Sequence, residues 1–174
     1  EEILSYRISL DSWLTLLEQI ESQMKVVMEQ LYKLAIQTAY FSIVKSLKGI
    51  SDKMAALFLA ECRDLSLFTH YKKLEKYAGY NLRIANSGDF VGSRRMSRLG
   101  NKRLSWIIYK MTEETVRYVP EIRMKFIRRQ LKHKKYRKNI IACSSVLLKL
   151  IISLCKAGRT YEYREIALEQ MAYL

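Results

Sequence analysis

Leu10, Trp13, Leu17, Ile20, Met24, Val27, Leu31, Leu34, Thr38 and Phe41 follow one another at alternating spacings of three and four residues. That spacing holds a stripe on one face of an α-helix and is the seam of a coiled coil. Only Thr38 is polar, so the pattern predicts one continuous helix over residues 3–43. Leu14, Leu16 and Met28 widen the stripe beyond two positions per heptad, which gives the helix apolar surface for more than one neighbour. Two readings follow. In one, Leu10, Trp13, Leu17, Ile20, Met24, Val27, Leu31 and Leu34 form a dimerisation or inter-domain coiled coil. In the other, this is one helix of a globular bundle.

The rest of the chain is equally short of breaks. It has one proline and six glycines in 174 residues, which favours long helices. A helix is expected to end near Lys48, with Gly49 in the turn and Ser51 or Asp52 capping the next helix. That arrangement resembles a helix-hairpin-helix, whose backbone N–H groups face a DNA phosphate. Leu65, Phe68, Tyr71, Leu74, Tyr77 and Ala78 have helical spacing. A loop occupies 81–100 and a helix 101–118. Pro120 opens a helix to about residue 131, and 139–157 is a mostly apolar helix stopped by Gly158. A short helix is possible in 161–174. No strand pattern emerges. The expectation is an all-α protein, divided into a coiled-coil helix (1–43), a compact helical domain (44–161) and a tail (162–174).

Charge narrows the function. Residues 83–138 hold 17 of the 31 basic side chains and 4 of the 17 acidic ones. A solvated surface spreads its charge, whereas a phosphate-binding face concentrates it. Nucleic acid is the first reading; an anionic membrane or an acidic protein is the competitor. The chain has no run of 18 apolar residues, so no membrane-spanning helix and no membrane partner are expected. The first residues are Glu-Glu-Ile without methionine, which reads as a fragment of a longer protein. Cys62, Cys143 and Cys155 are odd in number and lack a CxxC spacing, which implies a reducing compartment. His70 and His133 have no partners at metal-ligand spacing, so no metal site is expected.

The chemistry concentrates in Ser87-Gly88 followed by Arg94, Arg95, Ser97 and Arg98. A serine hydroxyl is a weak nucleophile that needs activation. Guanidinium groups are planar, bidentate donors suited to a phosphate. Ser97 reads as a helix N-cap or a phosphate donor, while Asn101, Lys102 and Arg103 read as backbone contacts. Lys132, Lys134 and Lys135 form either a solvated linker or a sequence-independent contact. Asn86-Ser-Gly-Asp89 is equally an ordinary turn sequence.

Three ordered blocks carry a family resemblance. They are Leu47-Lys-Gly-Ile with Ala55-Ala-Leu-Phe-Leu-Ala-Glu61; Phe68 to Gly79, then Ser87-Gly88 and Arg95-Met-Ser-Arg-Leu-Gly-Asn-Lys-Arg-Leu104; and Leu147-Leu-Lys-Leu-Ile151 with Tyr161. Together they resemble the C-terminal domain of the DEDD-type, Piv/MooV-like insertion-sequence transposases over about residues 44–161. The resemblance implies a two-part recombinase. A RuvC-like domain, absent from this fragment, holds Mg2+ on four acidic ligands, and the helical domain supplies a serine that becomes joined to DNA. It also implies guidance by a structured RNA from the element, several cooperating protomers and a cytoplasmic, nucleoid-associated bacterial location. Ser87 matches the family's serine, and Arg95, Ser97, Arg98, Gly100 and Asn101 match its basic loop. Gly49, Ser51, Lys53 and Arg83 complete the expected nucleic-acid contacts. Ser51, Leu82 and Ser105 depart from the family's usual glycine, proline and arginine. The alternative is a non-catalytic helix-hairpin-helix nucleic-acid-binding module.

Overall fold

The computed structural model describes residues 2–80, 82–83, 86–87, 90–91, 95–96 and 99–163, with backbone alone for 2, 3 and the residues between 82 and 96. The fold is all-α. Among the described residues seven α-helices run in the order α1 (Glu2–Ile36), α2 (Ala39–Lys45), α3 (Asp52–Cys62), α4 (Tyr71–Tyr77), α5 (Lys102–Thr115), α6 (Pro120–Gln130) and α7 (Tyr136–Ala157). The expected final helix concerns residues mostly outside the described set.

α1 is a single rod of 35 residues, about 50 Å long at 1.5 Å per residue. It stops earlier than the apolar seam suggests. The chain breaks at Gln37 and Thr38, and Thr38 is the N-cap of α2. The seam therefore divides. Phe41 enters the core, and Leu31 and Ala35 pack against it. Upstream, residues 4–27 are exposed throughout, with Leu17 at 53% and Ile20 at 46% of full accessibility. Tyr32, ring-to-edge against Phe41, marks where the rod meets the domain.

The domain core is built around α7. Its Ile140, Leu147, Leu148 and Ile151 are fully buried with Val44, Leu47, Phe58, Leu74, Leu104, Ile108, Met111 and Ile122. α7 packs on α2, α4, α5 and α6. By length and composition α7 could also cross a membrane, which corrects the sequence expectation that no segment could. In the fold its apolar side is the core of the domain, the usual reason for such a helix in a packed bundle.

Local chemistry sets the helix ends. The Ser51 hydroxyl accepts from the Met54 N–H at 3.3 Å, so of the two expected caps Ser51 is the one that starts α3 and Asp52 is its first residue. The expected helix across 65–80 is instead one 3-10 turn (Leu65–Leu67) followed by α4. Asp64 and His70 each accept a backbone N–H two residues on and so start separate turns. α5 begins at Lys102 with Asn101 as its cap, so Ser97 does not cap it. The basic linker is shorter than expected, because Tyr136, Arg137 and Lys138 already belong to α7.

Candidate functional site: the basic loop and its base

The loop is closed at its base by backbone. The Asn101 N–H donates to the Tyr77 carbonyl at 2.8 Å, joining the end of α4 to the start of α5. Gly100 has φ +152, and a Cβ built on it would fall 2.5 Å from the Gly79 nitrogen. Only glycine permits this approach. The Tyr80 hydroxyl donates to the Ser105 carbonyl across the same junction, and burial pushes that phenol above its usual pKa.

Asn101 is the hub of the base. Its Oδ1 accepts from the Leu104 N–H at 3.0 Å, and its Nδ2 donates to Glu61 Oε2 at 2.7 Å. Both ends of the amide thus engage the protein, and the contact to Glu61 ties the loop base to the end of α3. Arg103 approaches the same carboxylate at 4.0 Å, and its side chain is 87% exposed. Lys73, Lys76, Tyr77, Gly100 and Asn101 surround an open recess of about 500 Å³ beside this junction.

Beyond the base the loop forms two short antiparallel ladders, which the sequence did not signal. β1 (Leu82–Arg83) pairs with β4 (Arg95–Met96), and β2 (Asn86–Ser87) pairs with β3 (Phe90–Val91). Arg83 is the register partner of Arg95, so two residues expected to bind phosphate share one rung. Ser87 is paired with Phe90 on the innermost rung, where residues 88–89 link the strands. Two residues separate the ladders on the outgoing side and three on the return, so the register slips by one between them. Arg94, Ser97 and Arg98 lie outside the described residues.

The other expected contacts lie elsewhere. Gly49, at φ +102, faces the far end of α5; a Cβ there would sit 3.0 Å from the Glu114 carbonyl oxygen and from the Tyr118 ring. The turn at Gly49 thus packs on protein at the C-terminal end of α5, about 20 Å from Asn101 by helix rise. Lys48 lies over the Tyr118 ring at 5.5 Å. Lys53 lines a separate groove with Glu21, Met24 and Glu29 of α1. Lys132, Lys134 and Lys135 are exposed in the turn before α7. That turn is fixed to the second half of α5 by Tyr136, whose hydroxyl donates to Glu113 at 3.3 Å. Lys102 is exposed on the first turn of α5.

Among the described residues no three His, Cys, Asp or Glu side chains group to hold a metal ion. Burial raises the pKa of all three thiols, Cys155 to about 11. Glu61 and Tyr80 are the positioning residues that sequence reasoning did not single out. Their partners stand 40 and 25 residues away, and no local spacing announces them.

Residues 41–126 match the family described as Transposase IS116/IS110/IS902 family. The span runs from α2 through the Gly49 turn, the basic loop and α5 into α6. This part of the chain is similar to transposases of that family, which supports a role in DNA transposition. No curated protein matches the chain significantly.

Proposed function

We propose that this chain is the serine-bearing portion of a DNA-transposing recombinase of the DEDD, Piv/MooV-like type. The observation that carries the reading is the transposase-family match across the segment that contains Ser87, the basic loop and its closed base. Ser87 is the nucleophile. Its Oγ attacks a backbone phosphorus, and an Oγ–P bond forms as the P–O bond to the departing strand breaks. The serine releases its proton, and the departing deoxyribose oxygen takes one up. Arg83 and Arg95, partners on one rung, bracket the phosphate together with Arg94 and Arg98, and their charge stabilises the additional negative charge of the transition state. Asn101 acts at the base: its capping and its bond to Glu61 orient the loop.

The remaining parts of the proposal rest on the resemblance and on charge. A metal-binding RuvC-like domain elsewhere in the parent protein would supply electrostatic activation at the phosphate. An element-encoded RNA guides the complex, Lys132, Lys134 and Lys135 make sequence-independent contacts with DNA or RNA, and copies associate through the exposed seam of α1. The location proposed is the bacterial cytoplasm, at the nucleoid.

The test uses the parent protein, its element's RNA and a junction DNA. A covalent protein–DNA adduct is trapped and mapped by mass spectrometry. An adduct on Ser87, absent from Ser87→Ala, is the expected result. Tight, salt-sensitive binding without any adduct would leave the non-catalytic binding module as the correct reading.

A further inference from the structure

Two tryptophans are exposed, in opposite chemical settings. Trp13, 69% exposed, lies among Leu10, Leu14, Leu16 and Leu17 on the apolar stripe of α1. Trp106, 55% exposed, sits on α5 at the middle of its outward face. The helix buries Leu104, Ile107, Ile108, Met111, Thr112 and Thr115, and a 100° step per residue puts Trp106 nearly opposite their mean direction. Its helical neighbours at i−4, i−3 and i+4 are Lys102, Arg103 and Lys110.

This is the setting of a stacking platform. An exposed indole offers a π-face to a nucleobase, and cations on either side hold the phosphates before and after it. A protein-docking anchor would have an apolar surround. The acids nearby leave the patch basic. Lys110 Nζ is 2.8 Å from Glu113 Oε2, and Arg103 reaches Glu61 only at 4.0 Å, while Lys102 has no ion pair among the described contacts. Position adds a second argument. Trp106 lies five residues beyond Asn101, about 8 Å along the axis from the loop base.

We propose that Trp106 stacks on an unpaired base of the DNA strand that runs past the loop, flanked by Lys102, Arg103 and Lys110 as phosphate contacts. The inference rests on the DNA reading above. A strand cut at the loop loses its pairing next to the cut, and Trp106 holds the freed base in place.

The chain has two tryptophans, so Trp13→Phe leaves Trp106 as the single indole reporter. This 174-residue variant is titrated with single-stranded oligo(dT), with a duplex and with an RNA oligomer of the same length, following indole fluorescence and anisotropy. Oligo(dT) is expected to quench the indole. Trp106→Leu in the same background should weaken oligo(dT) binding about tenfold and duplex binding less than twofold, and Trp106→Phe should keep most of the affinity. Unchanged thermal melting of both variants establishes that the fold is intact. Binding of oligo(dT) without quenching, or equal loss for single strand and duplex, overturns the stacking role while leaving the DNA reading in place. Quenching by RNA alone overturns the choice of DNA. No binding to any nucleic acid removes the DNA reading itself.

Discussion

Asn101, read from sequence as a nucleic-acid contact, also holds the base of the loop. With Oδ1 on the Leu104 N–H and Nδ2 on Glu61, both ends of the amide engage the protein. Asn101→Ala is expected to lower unfolding stability by about 1–3 kcal/mol, from loss of the cap and from a half-buried carboxylate left without its donor. Urea denaturation measures it. Gly100→Ala should cost at least about 2 kcal/mol, because neither its backbone angle nor the Gly79 backbone can yield cheaply. The thiols make a pH prediction at the same scale. Cys155 has an ordinary value of 9.0 and a folded value of about 11, so the unfolded chain loses its proton first. Its stabilising contribution is complete below pH 9 and is lost as pH rises toward 11. Lys125, whose ammonium is disfavoured by burial, acts with the opposite sign. Denaturation midpoints of the protein and of Cys155→Ser at pH 8 and pH 10.5 separate the two. The variant should lose less stability over that interval.

At the scale of elements, α1 and α7 are both rich in apolar residues and have opposite fates. The α7 side chains are covered by α2, α4, α5 and α6, whereas those of α1 from residue 4 to residue 27 stay exposed among the described residues. An uncovered stripe with a heptad repeat calls for another helix. If copies associate through this stripe as proposed, the double substitution Leu17→Asp, Ile20→Asp is expected to yield monomers in sedimentation velocity. It should leave the domain's melting unchanged, since both side chains are about half exposed and lie far from the core. Loss of the domain fold with loss of assembly would instead mean that α1 is an integral part of the domain. The helix-to-loop junction gives a related lesson. Helix spacing through 65–80 was legible, but the side chains of Asp64 and His70 divide it, because a polar side chain that accepts a local N–H competes with helix propagation.

For the whole molecule the question is where the charge goes. The basic third of the sequence becomes the loop, the outward face of α5, α6 and the turn before α7. The turn at Gly49 sits at the other end of α5 from the loop. A nucleic acid touching both would span about 20 Å along α5. Binding should then be steeply salt dependent, falling about 10³-fold or more between 50 and 200 mM salt if six or more phosphates are contacted. Lys134→Ala should reduce the slope of log affinity against log salt by about one unit and affect all sequences alike. A slope unchanged by that substitution would mark the run from Lys132 to Lys135 as a solvated turn.

The all-α class, the long first helix, the Ser51 cap, the proline start of α6 and the Gly158 stop of α7 were written in local patterns. Each depends on residues within a few positions of one another, and periodicity and capping chemistry act over that range. The concentration of basic charge and the transposase-like blocks were legible for the same reason. The end of α1 at Ile36, the pairing of Arg83 with Arg95, the bond from Asn101 to Glu61 and the separation of the Gly49 turn from the loop were decided only by the tertiary structure. They join residues that chain spacing does not relate, and close packing of the helices selects which of them meet.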